Sequence, residues 1–481
     1  MKKIINITFS VLLPFIVMST TFGCKKFLEV GAPQTSMNSE NVYTTDATAT
    51  SVLTGIYITL SMADLDNGEL NGISLLGGLS SDELKVINND ARLLSYFNNA
   101  LNAADHSWAN YYRMVFTVNS AIEGLSGSNQ LTPGVKKQLL GEAMFLRGLC
   151  YFYLVNLYGD VPLALTTDYK VNSTLPRSST SAVYDQIVSD LNQAQEFLAV
   201  NYVSVPALAS TSERVRPNRA TATALLSRVY LFTGRYADAE VQSSQLIADN
   251  NYELMPLNGV FLSAGNKEAI WQIQNVGLNT TSNTRDGSFF IPMSATLNAR
   301  PVYLTDGLYH SFEAYDQRRA EWTRQIEINS VPYYYAFKYK IGPVNTSTVE
   351  YATVFRLAEQ YLIRAEARIA LNRISEGISD LNVIRKRATD LSAAQDKRLS
   401  QLPLDLSKQE ALLAVENERR HELFTEWGHR WLDLKRTGRA NAVIGPLKGA
   451  GWASTDQLYP IPLIDMSRNP SLQGHQNPGY Q

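Results

Sequence analysis

Three glutamates spaced four residues apart, Glu418, Glu422 and Glu426, are the side chains in this sequence best suited to acid–base chemistry. On a helix this spacing puts all three on one face, and paired carboxylates are the groups that glycoside hydrolysis needs. The same segment places an arginine four residues after Glu416 and another four residues after Glu426, an order that favours ion pairs along one helix. We therefore predict structural ion pairing here and no catalytic residue.

Other catalytic and metal-binding motifs are missing from the sequence. It contains no phosphate-binding loop, dinucleotide-binding glycine pattern or nucleophile elbow. His421 and Glu422 begin a zinc motif, but Thr425 stands where its second histidine is required. We expect no cofactor and no catalytic metal. The sequence leaves open a structural cation held by loop carboxylates and carbonyls.

The amino terminus has the pattern of a cleavable lipoprotein signal. Lys2 and Lys3 precede an apolar run, residues 4–18, that is too short and too interrupted to span a bilayer well. Residues 19–23, which are small apart from Phe22, then lead to Cys24. We predict a signal peptide over 1–23, a lipid anchor on Cys24 and a tether over 24–40. An ordinary secretory signal with an unmodified cysteine is the alternative.

The composition argues against a nucleic-acid-binding protein and against a disordered one. The formal net charge of −2 becomes −4 when the two positive charges of Lys2 and Lys3 leave with the signal, and nucleic acid needs a basic footprint. With 45% hydrophobic and 18% charged residues, the chain can bury a sizeable core. Cys150 lies in an apolar stretch, which predicts a buried structural thiol.

Helical periodicity dominates the chain from about residue 41. Apolar residues recur at helical spacing over residues 52–60, 108–122 and 133–157. Residues 226–239 have the small-residue, aromatic, turn-glycine and alanine spacing of a tetratricopeptide hairpin, and residues 361–384 and 145–162 look like degenerate copies. These patterns predict an all-α, tetratricopeptide-like helical repeat scaffold with long inserted loops and little β-structure.

Two stretches between the helices lack that periodicity. Residues 62–81 are rich in Gly, Asn and Ser, and residues 259–350 contain many aromatic side chains. Loops this long are usually functional or disordered, and the aromatic density argues against disorder. Aromatic and β-branched residues favour short strands over 269–274 and 333–339.

A series of motifs along nearly the whole mature chain resembles the RagB/SusD family of outer-membrane nutrient-binding lipoproteins. The C-terminal signature is Glu418-Arg419-Arg420-x-Glu422-Leu423-x-x-Glu426-x-x-x-Arg430-Trp431-x-Asp433-Leu434-x-Arg436. Other matching motifs are Cys24 with Phe27-Leu28, Gly55-Ile56-Tyr57, Trp108-x-x-x-Tyr112, Gly141-Glu142-Ala143, Tyr158-Gly159-Asp160-Val161-Pro162-Leu163 and Tyr459-Pro460-Ile461-Pro462. Each motif is weak alone, but their order is specific.

The resemblance implies about four helix pairs in a single domain over 41–481, with an N-terminal part over 41–255 and a C-terminal part over 256–481. It also implies a lipid-anchored protein that faces the cell exterior at the outer membrane. Such a protein captures glycan without enzyme activity and hands it to a SusC-like TonB-dependent transporter. The helical face would dock the transporter, and the loop side would bind the ligand.

Sugar rings pack their apolar C–H faces on flat aromatic side chains, and their hydroxyl groups need polar partners. In the family the ligand-binding residues come from variable loops. From the loops of this chain we predict stacking by Tyr96, Phe289, Trp322 and Tyr334, and hydrogen bonding by Asn67 and Arg92. We place Trp108, Trp427 and Trp431 in the core because they lie on helical stripes.

Three other functions remain open. A protein of the same architecture could capture peptides or a glycoprotein-derived nutrient, which would favour a deep, charged groove, whereas the aromatic loops favour glycan. A secreted helical hydrolase would need a placed acid and base that the sequence does not show. A purely structural scaffold would leave the aromatic stretch unexplained.

Overall fold

The structure, a computed structural model, describes residues 42–62, 72–204, 208–276, 283–296, 301–343 and 347–480. Cys24, Asn67, the predicted signal over 1–23 and the predicted tether over 24–40 lie outside these residues. Helices dominate the described part, which confirms the predicted all-α fold class. In chain order they are α1 Asp46–Met62, α2 Ile73–Ser80, α3 Ala91–Phe97, α4 Ala109–Gly127, α5 Pro133–Tyr158, α6 Tyr169–Asn172, α7 Thr180–Phe197, α8 Arg219–Phe232, α9 Tyr236–Ile247, α10 Arg285–Phe290, α11 Asp306–Tyr309, α12 Gln317–Trp322, α13 Leu357–Ala370, α14 Ile374–Arg387, α15 Lys408–Leu423, α16 His429–Arg436, α17 Ala440–Lys448 and α18 Leu463–Arg468.

Successive helices pack side by side to form the scaffold. α4 packs on α5, α5 on α7, α7 on α8, α8 on α9, α9 on α13, and α13 on α14. Two predicted hairpins are confirmed, since α8 turns into α9 at Gly234 and α13 turns into α14 at Asn372, both with positive φ. The third is wrong. After α5, Gly159 leads into a short strand, and the next helix in the chain that packs on α5 is α7.

Eight short strands complete the described structure and form three small sheets. They are β1 Leu84–Val86, β2 Val161–Pro162, β3 Arg177–Ser178, β4 Ala269–Ile273, β5 Val302–Leu304, β6 Thr323–Ile328, β7 Val331–Ala336 and β8 Ala352–Arg356. β1, β5, β7 and β6 form an antiparallel sheet in that order, which we call the aromatic sheet, while β2 pairs with β3 and β4 with β8. Strands β4 and β7 confirm the two predicted strand segments, although they pair with other strands and not with each other.

One large apolar core joins both parts of the chain, and a smaller one lies among α13, α14 and α15. Trp108, Trp427 and Trp431 are buried as predicted. Cys150 is buried as well, and burial raises the pKa of its thiol to about 12. A thiol that stays protonated is a structural group and a poor nucleophile. Among the helices of the described residues, none combines the length and hydropathy needed to cross a bilayer.

The glutamate-rich segment does not continue as one helix, contrary to the sequence prediction. α15 ends at Leu423, and residues 424–428 form a turn with positive φ at Thr425, Trp427 and Gly428 before α16 begins. Gly428 is required there, because a Cβ on this residue would lie 2.7 Å from Ile73 Cγ1. The turn therefore holds α16 against α2.

Candidate ligand-binding site

The aromatic sheet presents alternating side chains of β7 on its two faces. Tyr333 and Tyr335 are half-buried on one face, whereas Tyr334 and Ala336 are buried on the other. Neighbouring residues of a strand point to opposite faces, so Tyr333 and Tyr335 lie together on one face of the sheet and Tyr334 lies on the other. We call the face with Tyr333 and Tyr335 the tyrosine face and define it by Tyr333, Tyr335 and Phe337.

The tyrosine face carries a row of aromatic side chains at alternate positions of β7 and its continuation. Two residues along a strand span about 6.8 Å, which separates Tyr333 from Tyr335. The Tyr333 ring lies 5.1 Å from the Tyr303 ring on the adjacent strand, and the Tyr335 ring meets the edge of Phe337 at 6.2 Å. Half-buried aromatic rings at this backbone spacing can stack on sugar residues, each of which offers an apolar C–H face.

Basic side chains border this row. Lys85 Nζ lies 5.6 Å from the centre of the Tyr333 ring, and the Arg324 guanidinium lies 4.6 Å from that of Phe337. Lys340 Nζ lies 4.5 Å from the Phe337 ring, and burial lowers the pKa of this amine to about 8. Burial raises the pKa of Tyr335, with Arg324 opposing the shift. Lys85 pairs with Asp306, and Arg324 and Lys340 donate to backbone carbonyls, so a hydroxyl-rich ligand would meet the remaining N–H donors of these groups.

Three of the predicted stacking residues are buried, and the structure contradicts their assignment. Tyr334 is 8% exposed, and its ring stacks on Tyr309 at 3.5 Å. Tyr96 is 5% exposed and packs edge-on against Tyr459. Trp322 is fully buried and donates its indole N–H to the backbone carbonyl of Leu257. Each of these rings packs against the protein itself.

Three buried cationic side chains lie against the ring of Trp322. Lys338, Arg387 and Arg356 place their cationic groups 4.8, 5.5 and 5.8 Å from the ring centre. Cation–π contacts of this kind are strongest where water is excluded. The aromatic residue that looked most suited to a ligand therefore stabilises internal cations.

The elements that carry the remaining predicted residues lie beside the aromatic sheet. α3 carries Arg92, which is exposed, and packs against β1. α10 carries the partly buried Phe289, which packs against the main core beside Phe290. Phe290 lines a small cavity together with Ala336 of β7. Arg92 and Phe289 stay predictions, and Asn67 lies outside the described residues.

Sequence reasoning missed Tyr333 and Tyr335, although a signal for them was present. The run Tyr333-Tyr334-Tyr335 lies in a segment that the sequence predicts as a strand. Strand alternation puts its outer two tyrosines on one face and its middle one on the other. The middle tyrosine was chosen, and the structure buries that one.

The three glutamates spaced four residues apart in the C-terminal signature form buried ion pairs with arginines. Glu418 pairs with Arg318 at 2.6 Å, Glu422 with Arg356 at 2.6 Å, and Glu426 with Arg356 at 2.7 Å. The prediction of structural ion pairing is confirmed, but not within one helix, because the partners come from α12 and β8. Burial alone would raise the pKa of Glu422, yet Arg387, Arg356 and Arg318 together hold that pKa well below its usual value.

Comparison with known proteins agrees with this architecture. Residues 26–231 match a SusD-like family model described as starch-binding associating with outer membrane, and residues 309–480 match the SusD family model. SusD-like protein P2 of Formosa agariphila is 27% identical over the full length of both chains. The starch-binding protein SusD of Bacteroides thetaiotaomicron is 33% identical, over 27% of this chain and 21% of that protein.

Solved structures share the fold. A SusD-like protein of Bacteroides fragilis superposes with a TM-score of 0.74 at 22% identity, covering 94% of this chain and 100% of that one. A laminarin-binding SusD-like protein superposes with a TM-score of 0.73 at 22% identity, covering 90% and 99%. The two family models match consecutive parts of the chain, and relatives and folds extend over nearly all of it. The chain therefore belongs to the SusD/RagB family.

Proposed function

We propose that this protein is a cell-surface lipoprotein that captures oligosaccharide or polysaccharide and delivers it to a SusC-like TonB-dependent transporter. Cys24 would carry the lipid that holds it on the outer face of the outer membrane. The family model described as starch-binding associating with outer membrane supports both the ligand class and the location. The laminarin-binding neighbour supports a glycan over a peptide.

The tyrosine face is the observation that carries the ligand assignment. It is a half-buried row of rings bordered by lysine and arginine, at the edge of the helical scaffold where the long inserted segments meet. Stacking and hydrogen bonding together are sufficient for a sugar site. In our proposal Tyr335 is the main stacking residue, since Lys85 lies over Tyr333 and both Arg324 and Lys340 lie over Phe337.

Capture without catalysis is part of the proposal. The carboxylates best placed in the sequence for acid–base work are buried and ion-paired with arginines. A glycosidase needs one carboxyl group that keeps its proton and a second that faces the sugar. A glycan that is recovered intact after long incubation with the protein would support capture alone.

Calorimetric titration of the full chain with a panel of plant, host and microbial glycans tests the ligand class, and variants of Tyr335 test the site. Tyr335→Ala should weaken binding about tenfold, or about 1.4 kcal/mol, because the stacking ring is lost. Tyr335→Phe is the matched control, since it keeps the ring, and should bind within about twofold of the unaltered chain. Unchanged affinity in Tyr335→Ala would remove the tyrosine face from the proposal. Binding of peptides and of no glycan would favour the alternative nutrient.

A further inference from the structure

A second cavity lies on the helical scaffold, and none of its lining residues belongs to the aromatic sheet. It has a volume of about 840 Å³ and lies between the end of α8, the start of α9, α15 and α16. This volume is within the range of small-molecule sites. We call it the arginine cavity, after the basic side chains that line it: Lys408, Arg419, Arg420, Arg430, Arg436 and Arg439.

Positive charge exceeds negative charge in this cavity. Against the six basic side chains the lining has three carboxylates: Glu366, Glu416 and Asp433. Two of these are shared, because Asp433 pairs with both Arg419 and Arg436, and Glu416 pairs with both Arg430 and Arg439. Glu366 pairs with Arg436. Asp82, just outside the lining, pairs with Arg420 and Arg430. Counting Asp82, two positive charges remain in excess.

Arg419 provides a second, independent observation. It is only 3% exposed, and its Nε donates to Asp433 at 2.6 Å. Its two terminal nitrogens, which carry four N–H groups, are buried and have no acceptor among the described residues. The Nε of Arg420 is likewise buried without an acceptor there. A buried donor without a partner is costly, so these groups favour an acceptor from outside the chain.

Other buried arginines of this fold are compensated by several carboxylates. Arg318 donates to Asp316, Glu418 and Glu422 within its own cluster. Arg356 likewise meets Glu268, Glu422 and Glu426. Incomplete pairing is therefore not a general property of buried arginines in this protein. Around Glu422 one nitrogen, the Nε of Arg387, lacks an acceptor among the described residues, whereas Arg419 in the arginine cavity lacks acceptors at both terminal nitrogens.

We propose that the arginine cavity binds a carboxylate group carried on a small organic ligand. A guanidinium whose two terminal nitrogens are free recognises a carboxylate in a bidentate manner. Leu231, Phe232, Leu412 and Leu413 supply apolar walls for the body of that ligand. An acidic sugar and an acidic amino acid share this chemistry, and the experiment separates them. The proposal is independent of glycan binding at the tyrosine face.

Calorimetry on the full chain tests the site with four probes: sodium glucuronate, sodium glutamate, sodium sulfate and glucose. We expect at least one carboxylate to bind in the millimolar range or tighter, and glucose not to bind at this site. Stronger binding of glucuronate would identify an acidic sugar as the source, and stronger binding of glutamate an acidic amino acid. Binding of sulfate alone, or of no anion, would overturn the proposal.

Two variants connect binding to the cavity. Arg439 lies at the rim, with its side chain 42% exposed, so Arg439→Gln should fold normally and weaken carboxylate binding about fivefold. Arg419→Gln should abolish binding, provided that the variant folds. Arg373→Gln is the matched control, because Arg373 is similarly exposed and ion-paired but lies outside the cavity lining. Equal affinity in Arg439→Gln and Arg373→Gln would contradict the assignment, whatever Tyr335→Ala does to glycan binding.

Discussion

Glu83 shows how strongly burial shifts a single titratable group in this fold. Its side chain is buried beside α2, and one carboxylate oxygen accepts a hydrogen bond from the Thr425 backbone N–H at 3.2 Å. Burial raises its pKa to about 8, and the Thr425 hydrogen bond opposes that shift only in part. The group therefore keeps its proton in the folded chain at neutral pH.

Replacing Glu83 with Gln is expected to change how stability depends on pH. The unfolded carboxyl ionises near pH 4.5 and the folded one near pH 8. The stabilisation from its proton is therefore complete below pH 4.5 and is lost as the pH rises towards 8, at up to ~1.4 kcal/mol per pH unit. Urea unfolding should show the stability of Glu83→Gln rising with pH relative to the unaltered chain. Glu253→Gln removes an exposed carboxylate and is the control; a similar trend in that variant would contradict the assignment.

The tyrosine run on β7 shows at the same scale what residue type alone can and cannot predict. Composition identified an aromatic segment, but it did not distinguish Tyr334, which packs on Tyr309, from the half-buried Tyr335. Strand periodicity does distinguish them. The burial of Trp322 could not be predicted from strand periodicity, because it involves contacts with cations from distant segments of the chain.

At the scale of elements, the buried ion pairs connect parts of the chain that are far apart in sequence. Glu422 on α15 meets Arg318 from α12, Arg356 from β8 and Arg387 from α14. Glu426, in the turn after α15, pairs with Arg356 at 2.7 Å. The network thus fixes the packing of four elements at one point beneath the aromatic sheet.

Glu422→Gln should destabilise the protein strongly. Because Glu422 contacts three buried arginines, its replacement leaves uncompensated charge, which costs roughly 3–5 kcal/mol. The measurement is the free energy of unfolding in urea. Glu376→Gln is a suitable control, since Glu376 on α14 also meets two arginines but is half-exposed, and it should cost less than about 1 kcal/mol. Comparable losses in both variants would show that the buried network contributes little.

The positions of helices could be predicted from the sequence where local periodicity and turn residues determine them. Helical periodicity and the turn residues Gly234 and Asn372 located α8, α9, α13 and α14. The break after Leu423 was not predictable from periodicity, because the apolar spacing continues through the turn to Leu434. The turn that follows packs closely on Ile73, about 350 residues earlier in the chain. Local sequence contains no information about that approach.

For the whole molecule, packing contacts connect the N-terminal and C-terminal parts of the predicted single domain. α9 packs on α13, and α2 packs on α16. The end of the chain returns to the N-terminal part, where Tyr459 packs against Tyr96 and Tyr158. Contacts of this kind couple the two parts, so we expect them to unfold together.

Asn477 tests that coupling. It is buried; its side-chain amide donates to the backbone carbonyls of Tyr158 at 2.9 Å and Tyr459 at 2.8 Å, and its oxygen accepts from Arg177 at 2.6 Å. Asn477→Ala removes all three bonds and should cost roughly 2–4 kcal/mol. Tryptophan fluorescence and far-UV circular dichroism should report one coincident urea transition at a lower midpoint. Asn258→Ala, which removes one exposed bond, should leave the midpoint unchanged. Two separated transitions in Asn477→Ala would mean that the parts are independent domains, because the loss would then destabilise only one of them.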